Sequence, residues 1–96
     1  MARSRFIVSY DISDDKRRSR VHRTLMNFGD RLQFSLFQCD LTARELVALR
    51  AALHPHLNHA EDQVLFVELG PADGTGAERI DAVGRPYAAL VRVRIV

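Results

Sequence analysis

The 96-residue chain is long enough for one compact domain and too short for two, so it is read as a single domain, 1–96. Its 47% hydrophobic and 27% charged residues are the balance of a globular protein, and no apolar run approaches a membrane span. The net charge of +2 does not by itself imply a nucleic-acid partner, but Arg3, Arg5, Lys16, Arg17, Arg18, Arg20, Arg23 and Arg31 all fall in the first third.

The opening "MARSRF" carries bases without a following apolar core, so it does not read as a secretory signal, and the expected compartment is the cytoplasm. "RFIVSY" is aromatic and β-branched without interruption and predicts a strand covered on both faces. Ser13 or Asp14 caps the helix that follows, and Asp15 suits its first turn. Val21, Leu25 and Phe28 mark the buried stripe of that helix, and Gly29 is the expected C′ stop. His22 falls on the solvent side by the same pattern.

"RLQFSLFQCDL" alternates Leu32, Phe34 and Leu36 with Gln33, Ser35 and Phe37 and has no Gly or Asn turn signal, so its pattern alone predicts one strand. Cys39 lies within it. As the only cysteine it excludes an internal disulfide and a multi-Cys zinc site, and it reads as a small buried hydrophobe. Thr42 and Glu45 form a capping box for a second helix lined by Leu46, Leu49, Leu53 and Leu57, which Pro55 ends near His54. "QVLFVEL" is another strand, apolar on both faces. "GPADGTGAE" is a loop, "RIDAV" a short strand and "LVRVRIV" a final strand. The order is βαβαββ, an α+β sandwich with both helices on one face of the sheet. The long, β-prone terminal strand has nothing after Val96 to cover it, and it is expected to join a partner's sheet in a homodimer.

Asp11 closes the first strand, where its carboxylate emerges at the sheet rim. Two readings stay open there: an Asx turn or helix cap, or a hard-metal ligand completed by a second copy across a two-fold axis. Asp14 and Asp15 are explained by the helix start. Arg17, Arg18 and Arg20 occupy the helix that begins at the rim, either as a solvated face or as phosphate contacts. Tyr10 and Phe37 lie near the same rim and could pack in the core or stack on a base. His54, His56 and His59 share no helix face and have no cysteine beside them, which argues against zinc.

"YDISDDKRRSRVHRTLMNFGDRLQFSLFQCDL", Tyr10 to Leu41, resembles the second numbered Cas family, the small CRISPR-associated adaptation proteins. The family opens on Y-D-I/V-x-D-D-x-R-R-x-R-V, followed by G-x-R-x-Q-x-S-V-F-E. The second segment here is "GDRLQFSLFQ", with Leu36 for the usual Val and Gln38 for the usual Glu. The resemblance weakens after Gly70. It implies a ferredoxin-like βαββαβ sandwich with an extra C-terminal strand, working as a homodimer, and it makes the 31–41 run a hairpin. It further implies a metal-dependent endonuclease acting on single-stranded RNA or double-stranded DNA in spacer acquisition and antiviral defence. Asp11 corresponds to the metal-binding aspartate, shared with its symmetry mate and holding Mg²⁺ or Mn²⁺ to polarise the phosphodiester and activate water. Tyr10, Arg18, Arg20, Arg31 and Phe37 match further functional positions. The alternative role is a non-catalytic adaptor that bridges the subunits of the CRISPR integrase and braces DNA through its phosphates.

Overall fold

The structure, a computed structural model, describes residues 2–73 and 80–86. Its elements are β1 (Ser4–Asp11), α1 (Asp15–Met26), β2 (Asp30–Gln33), β3 (Leu36–Leu41), α2 (Ala43–Leu53) with a 3₁₀ turn at His54–His56, and β4 (Gln63–Pro71). The four strands form one antiparallel sheet in the order β2-β3-β1-β4. This βαββαβ arrangement is the ferredoxin-like α+β fold, and it corrects the βαβαββ order read from pattern. Residues Ile80–Val83, within "RIDAV", carry no strand. The "LVRVRIV" segment expected to pair with a partner lies outside the described residues.

The helices cover one face of the sheet. Phe6, Val8 and Tyr10 of β1 and Phe37, Cys39 and Leu41 of β3 point into that layer, where they meet Val21 and Leu25 of α1 and Leu49 and Leu53 of α2. Among the described residues no element covers the other face. Ile7 and Leu36 are half-buried on it, and Leu65, Val67 and Leu69 of β4 remain 51%, 50% and 40% exposed. The unbroken apolar run of β1 therefore misled the expectation of two covered faces. From Phe6 to Tyr10 only alternate residues are buried.

Local chemistry sets the helix ends as expected. Asp14 caps α1 by accepting from the Arg17 N–H at 2.9 Å, and Asp15 sits in the first turn. Thr42 and Glu45 complete a reciprocal capping box at α2. Gly29 differs from its expected part. The C-cap is Asn27, and among the described residues only Gly70 and Gly84 have positive φ. Gly29 is needed for another reason: a Cβ there would overlap the Gln38 carbonyl oxygen and the Cys39 thiol, so the α1–β2 connection passes too close to β3 for any side chain.

The 31–41 run is a hairpin, as the resemblance implied. Gln33 pairs with Leu36 across the two-residue turn Phe34–Ser35, and the ladder shifts register between Arg31 and Gln33. Neither turn residue has positive φ, so the glycine-rich primed turns that normally announce such hairpins are not used. Two bonds from β1 hold the turn instead. The Tyr10 N–H donates to the Ser35 carbonyl at 3.2 Å and the Tyr10 hydroxyl donates to the Phe34 carbonyl at 2.9 Å.

Candidate functional site

Tyr10 and Asp11 are neighbours on β1 and point to opposite sides of the sheet. Asp11 is exposed on the open face and pairs across the ladder with Gln63 of β4. Its carboxylate makes no hydrogen bond or ion pair among the described residues, so it caps nothing, and Asp14 performs that task. An exposed, unpartnered carboxylate on a strand end is a hard oxygen donor of the type Mg²⁺ takes, one or two at a time with water filling the remaining positions. Asp11 therefore fits a divalent ion as a single donor. Among the described residues no three His, Cys, Asp or Glu side chains converge on one point, so further protein ligands would come from a second copy.

The opposite side carries a cleft of about 510 Å³, bounded by Tyr10, Arg18, His22, Arg23, Arg31 and Phe34. Phe37 is its floor. The ring is fully buried, with His22 edge-on to it at 5.3 Å and Tyr10 tilted at 6.4 Å between centroids, so Phe37 supports the site and offers no stacking surface. Tyr10 is 5% exposed. Burial raises the pKa of its phenol, while the Arg31 and Arg18 charges oppose that rise. The single phenolic hydrogen serves the Phe34 carbonyl. The 3.2 Å contact to His22 Nδ1 is therefore donated by the imidazole, which fixes that nitrogen as the protonated one. Burial, and secondarily Arg31, lowers the His22 pKa and keeps the ring neutral near pH 7.

The arginines divide into two groups. Arg17 holds Asp62 through Nε at 2.7 Å and through a terminal nitrogen at 3.2 Å, and it reaches Glu61 at 3.1 Å. Its guanidinium thus ties α1 to the segment that enters β4. Arg18 donates to the Ile12 and Ser13 carbonyls at 3.1 and 3.2 Å and pairs with Asp15, so it braces the loop behind Asp11 as well as lining the cleft. Arg3 and Arg5 are likewise paired, with Glu45 and Asp40. Arg20 and Arg23 are exposed on α1 and carry no ion pair among the described residues. The Arg31 guanidinium lies 5.4 Å from the Phe34 ring centroid and hydrogen-bonds the Gln33 carbonyl through Nε at 3.3 Å.

Pattern reasoning missed two members of this set. His22 was placed in solvent, although it follows Arg18 by one helical turn and thus shares its face. Phe34 falls within a single strand by pattern, yet it is 65% exposed at the hairpin tip. Cys39 is buried as expected. Burial first, then the Asp30 and Asp40 charges, push its thiol up to about 12, which removes it as a nucleophile. His54 and His59 stack at 4.4 Å, and the His59 Nε2 contacts the His54 carbonyl at 3.1 Å. No helix among the described residues is long and apolar enough to cross a membrane.

Comparison with known proteins agrees with this layout. The model of the family described as CRISPR associated protein Cas2 matches residues 4–73, from the start of β1 past the end of β4. A CRISPR-associated endoribonuclease Cas2 from Geobacter sulfurreducens is 36% identical over 91 residues, covering 95% of both chains. Another from Thermus thermophilus is 37% identical over 70 residues, covering 73% of each. A crystal structure of Streptococcus pyogenes Cas2 superimposes with a TM-score of 0.73 at 26% identity, covering 83% of this chain and 99% of that one. With its ferredoxin-like sheet, its motif-bearing first strand and helix, and relatives matched over nearly their whole length, the chain belongs to the Cas2 family of CRISPR-associated proteins.

Proposed function

We propose that this chain is a metal-dependent endonuclease of CRISPR adaptation, hydrolysing phosphodiester bonds of RNA or DNA as a cytoplasmic homodimer of a single ferredoxin-like domain. The observation that carries this reading is Asp11, an exposed carboxylate without a partner on the sheet face where Leu65 and Val67 are uncovered. A second copy seated on that face would cover the apolar residues and bring a second Asp11 toward the first. The curated relatives named above, each described as an endoribonuclease, support the activity.

Asp11 would hold Mg²⁺ or Mn²⁺. When bound, such an ion supplies Lewis-acid polarisation of the phosphoryl oxygen and a lowered pKa for water. The chain's own contribution is placement. Arg18 fixes the Ile12–Ser13 backbone and so the strand end that presents Asp11. Arg20, Arg23 and Arg31 offer guanidinium forks to backbone phosphates, and Tyr10, resting on Phe37, holds Arg31's hairpin in position. Base identity plays little part in contacts of this kind.

Asp11→Ala tests the reading. Cleavage of single-stranded RNA and of duplex DNA with Mg²⁺ or Mn²⁺ should fall to background while dimerisation and binding persist. Full cleavage by the variant would remove Asp11 from the chemistry. The unpaired cations of α1 favour a second role, a non-catalytic DNA-binding adaptor that bridges integrase subunits. In that case Asp11→Ala protein supports spacer integration as well as the wild type does.

A further inference from the structure

The cleft on the helix side of the sheet has a composition unlike the rest of the basic surface. Arg18, Arg23 and Arg31 line it, no acidic side chain among the described residues does, and of these three arginines only Arg18 has an ion pair there, with Asp15. The groove around Arg3, by contrast, is lined also by Asp30, Asp40 and Glu45. The cleft also has an apolar wall in the exposed ring of Phe34 at the hairpin tip, with the Arg31 guanidinium over one face of that ring. Its volume of 510 Å³ lies within the roughly 300–1,000 Å³ of small-molecule sites.

We propose that this cleft is a subsite for one unstacked nucleotide of a single-stranded segment, with the base on the Phe34 ring and the flanking phosphate between Arg23 and Arg31. The inference rests on the reading of the chain as a nucleic-acid-binding protein and deepens it by naming a strand form and a subsite. Two observations, with the geometry of the duplex, select this occupant. Two cleft guanidiniums, those of Arg23 and Arg31, carry no ion pair among the described residues and call for an anion. An exposed aromatic ring beside that cluster calls for a ligand with a π face, and an oligonucleotide carries both at the spacing of one residue. A base within a duplex has both faces covered by its neighbours, so only an unpaired or splayed base can lie on Phe34.

The site is held rigidly without Phe34's own side chain. The Tyr10 hydroxyl fixes the Phe34 carbonyl and the Tyr10 N–H fixes that of Ser35, so the ring projects from a backbone pinned at both turn residues. Because the ring is 65% exposed, its removal leaves no cavity in the core. Phe34 can therefore be varied without unfolding the chain. Arg23, exposed on α1, has the same advantage.

The experiment is fluorescence anisotropy with a labelled oligouridylate and a labelled DNA duplex, each titrated with wild-type protein, Phe34→Ala, Phe34→Trp and Arg23→Gln. Phe34→Ala should weaken single-strand binding by about 5- to 150-fold, the range for loss of one stacked base, while duplex affinity stays within twofold. Phe34→Trp should restore single-strand binding. Arg23→Gln should reduce the magnitude of the single-strand salt slope by about 0.7, the value for one phosphate. A 2-aminopurine placed in the oligonucleotide should be quenched by wild type and Phe34→Trp but not by Phe34→Ala. Equal effects of Phe34→Ala on both ligands, or no effect on either, would overturn the subsite and leave nucleic-acid binding standing. Wild-type protein that binds neither ligand would overturn both.

Discussion

The Tyr10 hydroxyl on β1 donates to the Phe34 carbonyl at the tip of the β2–β3 hairpin, across 2.9 Å. This bond joins residues 24 positions apart and closes a turn that has neither glycine nor positive φ to shape it. Tyr10→Phe keeps the ring on Phe37 and removes only the hydroxyl. The variant should lose about 0.5–1.5 kcal/mol in denaturant unfolding, the net contribution of one hydrogen bond. Amide exchange of the turn should accelerate, because the bond from the Tyr10 N–H to Ser35 then holds it alone. Unchanged exchange at the turn would show that the hairpin is self-sufficient.

That relationship explains which parts of the fold were legible. The helix caps at Asp14 and Thr42 were readable because their donors and acceptors lie within three residues, and so were the strands at β1 and β4. The hairpin was not, because its turn is stabilised from a distant strand and the local window shows only alternating apolar residues. The same limit applied to the site. Asp11 was legible as a strand-end acid, and its neighbours Asp14 and Asp15 separated correctly from it. The division of the arginines was not legible, since Asp62 and Glu61, which engage Arg17, lie over 40 positions away.

Gly29 tests close approach rather than backbone freedom. Its φ is not positive, so alanine is acceptable to the local backbone, but its methyl would meet the Gln38 carbonyl oxygen and the Cys39 sulfur. Gly29→Ala should destabilise the chain by about 1–3 kcal/mol through overpacking. Adding Cys39→Ala should rescue only part of the loss, because the carbonyl remains. Complete rescue would place the whole clash at the thiol.

The Arg17–Asp62 pair should be visible on the acid limb of stability. Hydrogen bonding to Arg17, ahead of the Asn58 N–H, holds the Asp62 carboxyl below its ordinary 3.8. A depressed carboxyl pKa gives stability that is present above the unfolded value and lost as pH falls through the folded one. Arg17→Ala should therefore lower the melting temperature at neutral pH, and the gap to wild type should close as the pH drops below 3.8. A gap that persists in strong acid would assign the loss to packing of the arginine stem. Nucleic-acid affinity should change less for Arg17→Ala than for Arg23→Ala.

His22 gives a second pH signature of the same sign in a different window. Its folded pKa lies below the ordinary 6.5, first through burial and then through Arg31. The unfolded chain therefore takes up a proton before the folded chain does, and stability falls as the pH drops below 6.5 toward the folded value. Melting temperatures between about pH 7.5 and about pH 5 should decline more steeply for wild type than for His22→Gln. Parallel curves would show that the ring titrates freely.

The alternation of β1 has one more consequence. Residues a single step apart along a strand emerge on opposite sides of the sheet, so the phenol of Tyr10 and the carboxylate of Asp11 are assigned by parity. Inserting or deleting one residue between Phe6 and Ser9 would exchange them, driving a charge against Phe37 and leaving the hairpin without its donor. Two successive residues thus act as a reading-frame mark for the fold. The strand already carries one shift, at the irregularity between Arg5 and Phe6 in its pairing with β4. Length changes in this strand should be tolerated on the Ser4 side of that irregularity and nowhere beyond it.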